Sequence, residues 1–301
     1  MDEAVSPTVA RRRVRLALRE ARETANLTQQ EVAEEMEWSL SKVIRIENGD
    51  VSIAPNDLRP LLTFLGVKDR ARVNALIADA RISRTRQHVA WWQRPEFRDL
   101  NDPLRRFIEY EAVATEIRSF YIRYVPAPLQ LPEYAAALTG PMAEEMPAHK
   151  IDALIQARRL RREALLSRLG QMAYYTVLDE AVFQRSTGGP EVFAAQLREL
   201  QRLASEGLVR IRMLPFSLDM PIANSASFDV LSLGRGAMGN EVLYRENGMI
   251  DELLEDRATA SRHLNRFNQL WQVAAGESDT IAYIDRRIKE LESTIASSQG
   301  G

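Results

Sequence analysis

The chain has 301 residues, enough for one large domain or two ordinary ones, and its 45% hydrophobic and 27% charged residues are the balance of a soluble globular protein. No run of about 18 apolar residues could span a membrane, Met1–Glu20 lacks the apolar core and cleavage site of a secretory signal, and the absence of cysteine excludes disulfides, thiolate zinc sites and cysteine nucleophiles. The net charge of −2 excludes a protein coated in basic patches, but it is unevenly spread, with 15 Lys+Arg against 13 Asp+Glu up to residue 86 and 25 against 29 beyond.

From the N-terminus, residues up to about Val9 read as disordered. From Arg11 to Thr24, Val14, Leu16, Ala17, Leu18 and Ala21 recur at helical spacing among good helix formers. Thr28–Glu31, "TQQE", is a capping box that opens a short helix ending near Met36. Ser39 caps the next helix, which turns Val43 and Ile46 inward and stops at Asn48-Gly49. Asn56–Leu65 predicts a fourth helix, with Pro60 in its first turn or just beyond, and "KDRARVNALIADARIS" a fifth. Residues 11–84 thus form a compact bundle. Residues 85–101, polar, aromatic and proline-punctuated, read as a linker, with Trp91-Trp92 suited to packing between domains.

The second domain spans 102–293. Asp102 is expected to cap a helix in which Phe107, Tyr110, Ala114, Ile117 and Tyr121 share one stripe. A proline-framed loop leads to a short helix, and residues 147–169 form a long helix with an arginine-rich face. "AYYTVL", "VRIRMLPF", "SFDVLSL" and "EVLYREN" predict four strands, with "GRGAMGN" as a turn between the last two. A helix from Glu191 to Ser205 lies among them, and Asp251–Ser293 reads as helical before a frayed end. The expected fold is mainly α with α/β: a five-helix N-terminal domain and a C-terminal α+β domain with a small sheet of about four strands.

Two short helices joined by a tight turn inside a helical bundle are the arrangement of a helix-turn-helix DNA reader. "LTQQEVAEEMEWSLSKVIRIENG" resembles the helix-turn-helix of the lambda-repressor-like, or XRE, family, through Leu27, the "TQQE" start, Ala33, Val43, Ile46 and the "RIENG" ending. The resemblance implies an Arg22–Glu47 ion pair tying the first helix to the recognition helix. It also implies that Gln29 touches a phosphate and braces the recognition helix, and that Asn48 contacts the DNA backbone. Base reading would fall to Leu40, Ser41 and Arg45, with Lys42 on phosphate. Arg45 can meet guanine O6 and N7 with two hydrogen bonds. Leu40 can only press on a thymine methyl or pack beside Trp38. Glu37 stands in the turn where that family usually has glycine, which points to a rearranged turn.

"VAWWQRPEF", "IEYEAVATEIRSF", "VPAPLQLPEYAAAL", "RRLRREALL" and "VLDEAVFQRSTGGPEVFAAQLREL" follow one another as in regulators of the actinobacterial WhiJ-like type, XRE proteins of Streptomyces and relatives with a long C-terminal domain. This resemblance implies DNA-binding regulation of double-stranded operator DNA, often beside a small acidic partner protein in an antitoxin-like arrangement, and no established enzymatic activity. Ala127-Pro128 and "SLDMPIAN" depart from that pattern.

No cofactor or metal is expected: His88, His149 and His263 lie far apart, without a metal-ligand spacing. Asp179-Glu180, Glu111, Arg158, Arg159 and Arg162 are the only candidates for chemistry. The first pair reads better as a cap, and Glu111 as half of a buried ion pair. "STGGPE" lacks the setting of a phosphate-binding loop and reads as a helix start. The expected protein is a cytoplasmic, non-enzymatic, homodimeric transcriptional regulator. Its C-terminal domain would dimerise and sense a partner or ligand. The alternative is an antitoxin-like protein that neutralises a small partner and autoregulates its own operon, and the third reading is a DNA-targeted enzyme.

Overall fold

The computed structural model describes residues 5–85, 90–141, 146–218, 226–234, 240–246 and 251–299, which separate into two units, one on each side of residues 86–89. The first is all helical: α1 (Pro7–Thr24), α2 (Gln29–Glu35), α3 (Leu40–Asn48), α4 (Pro55–Phe64) and α5 (Arg70–Ser83). Contrary to the reading of a disordered start, α1 begins at Pro7. Ser6 accepts from the Val9 amide at 3.2 Å, and Thr8, Val9 and Ala10 are buried. Proline at the first position supplies a preset φ without losing a helical bond.

Thr28 and Glu31 close a reciprocal capping box at α2. Ser39 caps α3 by accepting from the Lys42 amide at 3.2 Å. Between them the turn is not rearranged. Glu37 takes the left-handed conformation itself, at φ 54°. The Trp38 amide reaches the Ala33 carbonyl at 2.8 Å and the Glu37 amide reaches that of Glu34 at 3.2 Å, the paired bonds of a Schellman stop. A left-handed non-glycine residue carries a penalty of about 1–2 kcal/mol, partly balanced by its lower unfolded-chain entropy. Glu37→Gly is therefore expected to stabilise this unit by about 0.5–1 kcal/mol, read as a higher urea midpoint with unchanged slope. Gly49 ends α3 at φ 83°, and a Cβ there would lie 2.8 Å from Arg15 Cδ, so both conformation and space require glycine.

The second unit opens earlier than the sequence indicates. Residues 90–101, read as linker, carry short 3-10 turns at Trp91–Gln93 and Pro95–Phe97. They bury Phe97 and Leu100 against Ile108, Ala153 and Ala157, with Trp91 and Trp92 packed on the same cluster. Then follow α6 (Asp102–Glu111), β1 (Glu116–Tyr121), α7 (Pro132–Thr139), α8 (Ala148–Leu166), β2 (Ala173–Asp179), α9 (Glu180–Gln184), α10 (Gly189–Ser205), β3 (Arg210–Leu214), β4 (Phe228–Ser232), β5 (Glu241–Glu246), β6 (Asp251–Leu254), α11 (Arg257–Val273) and α12 (Glu277–Gln299). Asn101, not Asp102, caps α6, accepting from the Leu104 amide at 2.8 Å.

The sheet has six strands rather than about four, in the order β3-β2-β1-β4-β5-β6. β1, β2 and β3 run parallel, joined by helical crossovers, and β4, β5 and β6 continue as an antiparallel meander. The two unforeseen strands are β1, which had been assigned to the preceding helix, and β6, assigned to the helical tail. That tail also breaks between Val273 and Glu277, and α12 runs on to Gln299. The turn expected within 234–240 lies mostly outside the described residues.

Strand pleating sends alternate side chains to opposite faces. One face carries Phe120, Val177, Phe228, Val230 and Leu243, which form an apolar core with Phe267 and Leu270 of α11. The other carries Ser119, Tyr121, Tyr174, Asp229 and Tyr244, all buried. Phe107 of α6 stacks on Tyr244 there, ring centroids 4.2 Å apart. One face of the sheet is thus a hydrocarbon core and the other an aromatic and polar one.

Candidate nucleic-acid interface and a buried polar site

In the first unit α3 divides cleanly. Val43, Ile46 and Glu47 are buried, while Leu40, Ser41, Arg45 and Asn48 are exposed. Burying Val43 and Ile46 contributes about 1.5–3 kcal/mol each, which holds the helix against α1 and α2. Leu40 is 39% exposed, so it faces outward rather than packing into the turn. The sequence reading missed Ile44, half-buried and one turn beyond Leu40, which widens the apolar part of this face.

The buried Glu47 carboxylate is the lock. It accepts from Arg22 Nε at 2.7 Å, Arg22 Nη2 at 3.1 Å and Gln29 Nε2 at 2.8 Å. Arg22 Nη1 also donates to the Leu27 carbonyl at 2.9 Å. The hydrogen bond to Glu47 holds the Arg22 pKa above its ordinary value. One carboxylate thereby joins α1, the turn after it, α2 and α3. Gln29, expected both to touch the DNA backbone and to brace the recognition helix, braces it here through that lock. Lys42 pairs with Asp57 at 3.1 Å and lies 3.7 Å from the centre of the Trp38 ring. The pair is partly exposed and worth at most about 1 kcal/mol, so a phosphate could displace Asp57.

In the second unit the arginines of α8 do not share one face. Arg161 is buried and donates to both oxygens of Glu111 at 2.8 Å, over the Phe107 ring. Burial works against the Arg161 charge, but Glu111 more than offsets it and raises its pKa. Arg162 bonds Glu199, and Arg159 makes an exposed pair with Glu163. Arg158 lines a cavity of about 340 Å³ together with Tyr121, Tyr124, Gln130, Glu246 and Asp251. The sequence does not announce the cavity, and of its tyrosines only Tyr121 stands out there, on a helical stripe that it does not occupy. A lone aspartate in the apolar strand "SFDVLSL" was the available signal.

That aspartate, Asp229, accepts from Ser119 Oγ at 2.5 Å and Tyr121 Oη at 2.8 Å. Burial raises its pKa to about 7 against these hydrogen bonds. The folded state therefore binds this proton more tightly than the unfolded chain. The contribution of Asp229 to stability is greatest below the ordinary value of 3.8 and declines as pH rises from there through about 7, by on the order of 4 kcal/mol. Glu246, also raised mainly by burial, adds in the same direction. Asp229→Asn should remove most of the decline between pH 5 and 8 in urea unfolding. An equally steep decline in the variant would place the proton elsewhere.

The other candidates have structural roles. Asp179 caps α9, accepting from the Ala181 amide at 2.9 Å. Glu180 accepts from the Phe216 amide and Tyr283 Oη. Gly188 caps α10 in the left-handed region, where a Cβ would meet Val192 and Ala137 within 3 Å. His149 is exposed, 3.6 Å from Asp99, and His263 packs edge-on to Phe228. His88 and most of "SLDMPIAN" lie outside the described residues.

Helix packing, caps and the free face of α3 define a helix-turn-helix, and residues 13–76 match a helix-turn-helix domain, which supports a DNA-binding regulator. The match over residues 104–286 is to a family described as a domain of unknown function (DUF5753), and the chain belongs to that family. No curated protein and no solved structure matches. No helix among the described residues is long and apolar enough to cross a membrane.

Proposed function

We propose that this protein is a sequence-specific transcriptional regulator, in which α3 reads base edges in the major groove and the second unit dimerises and senses a ligand or partner. The observation that carries this reading is the division of α3. Its inner face is locked by Glu47, Arg22 and Gln29, while Leu40, Ser41 and Arg45 stand free. In that role Arg45 takes a guanine, Ser41 accepts or donates, and Leu40 with Ile44 meets thymine methyls. Asn48 and an exchanged Lys42 reach phosphates, which position the protein without choosing sequence.

A single module of this size binds weakly, so a two-fold dimer on half-sites about one helical turn apart is the expected complex. The resemblance to XRE regulators of the actinobacterial WhiJ-like type supports the same assignment. No catalytic role is proposed, since Glu111, Asp179 and Glu180 are each engaged in pairs or caps.

Gel-shift on the DNA upstream of the protein's own coding sequence tests the reading. A discrete complex that survives excess nonspecific DNA is expected. Adding the product of any small neighbouring gene separates regulator from antitoxin. A partner that co-purifies and changes the shift favours the antitoxin arrangement, and one that does neither removes it.

A further inference from the structure

The cavity of the second unit is charged unevenly. Glu246 and Asp251 are directly opposite each other across β5 and β6, and both line it. Like charges at opposed positions of a sheet are destabilising unless something between them is positive. Arg161, which also lines the cavity, is engaged by Glu111, and Arg158 bonds Thr139, so among the described residues neither carboxylate has a salt bridge; Asp251 accepts from Asn101 Nδ2 at 2.7 Å and Glu246 from the Tyr124 hydroxyl. Lys150 and Asp99, at more exposed positions, also line the cavity, and Asp99 lies 3.6 Å from His149.

A second observation is independent of charge. Gln130 is 3% exposed and lines the same cavity. Its Nε2 donates to the Val125 carbonyl at 2.7 Å, but its Oε1 has no hydrogen-bond partner among the described residues. A buried acceptor left unpaired costs about 1–3 kcal/mol, so the site calls for a donor. The remaining walls are the tyrosines 121, 124 and 244 and the apolar side chains of Leu104, Leu154 and Ala157. Tyrosine faces attract cations, and a cavity of this volume holds a small organic molecule.

We propose that this cavity binds an organic cation, an amine on an apolar body, with its N–H groups donated to Gln130 Oε1 and to the Glu246–Asp251 pair. The proposal deepens the sensing role assigned above and rests on it for its biological meaning, but not for its chemistry.

The test is ligand-detected NMR on the full chain. The probes are matched amines, alcohols and carboxylates on indole, phenyl and cyclohexyl bodies. Amines are expected to bind and carboxylates not, with binding at least tenfold weaker in Glu246→Gln and in Gln130→Met. Circular dichroism and thermal unfolding establish that both variants are folded. Preferential binding of carboxylates, binding of no amine, or amine binding untouched by both substitutions would overturn the proposal. DNA titration with and without the best amine separates the two readings. A changed operator affinity supports sensing through this site, whereas binding with no change leaves the site standing and removes its sensing role.

Discussion

Replacing Arg161 by methionine is expected to lower the stability of the second unit by about 3–5 kcal/mol, because it leaves Glu111 charged, buried and alone. The pair is only 8% exposed on each side, and both guanidinium-to-carboxylate bonds are 2.8 Å. Removing both partners has a different outcome. Arg161→Met combined with Glu111→Leu abolishes the unpaired charge, and much of the lost stability should return. Tryptophan fluorescence in urea reads this well, since Trp91, Trp92 and Trp271 belong to the second unit and only Trp38 to the first. A double variant as unstable as Arg161→Met would mean that packing over Phe107, rather than charge pairing, is what Arg161 supplies.

The second large effect is on DNA. Arg45→Ala removes no buried contact, since the side chain is exposed on α3. Stability should stay within about 0.5 kcal/mol of the original protein. Specific operator affinity should fall by about 1–3 kcal/mol, roughly 5- to 150-fold, while nonspecific affinity changes far less. Leu40→Gln provides the companion measurement. If Leu40 meets a thymine methyl, the variant loses affinity only on operators carrying thymine at that step. If affinity falls equally on all operators, Leu40 supports docking of the helix without reading a base.

The helix-turn-helix was legible because its determinants are local. Capping residues, the Asn-Gly stop and the inward Val43 and Ile46 all lie within a few positions of the structure they specify. Even so, Glu37 shows a limit. The pattern flagged it as unfit for the turn, yet the Schellman bonds to Ala33 and Glu34 hold it in the left-handed region. The N-terminus was misread for the opposite reason, because Ser6 and Pro7 form a strong start signal with little apolar sequence before it.

In the second unit the two missed strands carry helix-like patterns. Ile117 and Tyr121 continue the four-residue spacing of Tyr110 and Ala114, so β1 masquerades as the end of α6. "DELL" has no β-branched residue, and β6 is a strand because β5 offers it an edge. The arginine run of α8 gave no hint that Arg161, Arg162 and Arg158 would serve three different partners. The cavity was invisible for the same reason. Its residues come from the segment before α6, α6, β1, the loop after it, α8, β5 and β6, and only the fold brings them together.

The central claim is that the outward face of α3 chooses DNA sequence. In-vitro selection from a random 30-base-pair duplex library, run with the original chain and with a Leu40→Ala, Ser41→Ala, Arg45→Ala variant of equal unfolding stability, tests it most directly. The original chain should enrich two guanine-containing half-sites about one helical turn apart, and the variant should lose that motif while keeping salt-sensitive nonspecific binding. Enrichment of the same motif by both proteins, or of none by the original chain, would contradict the account.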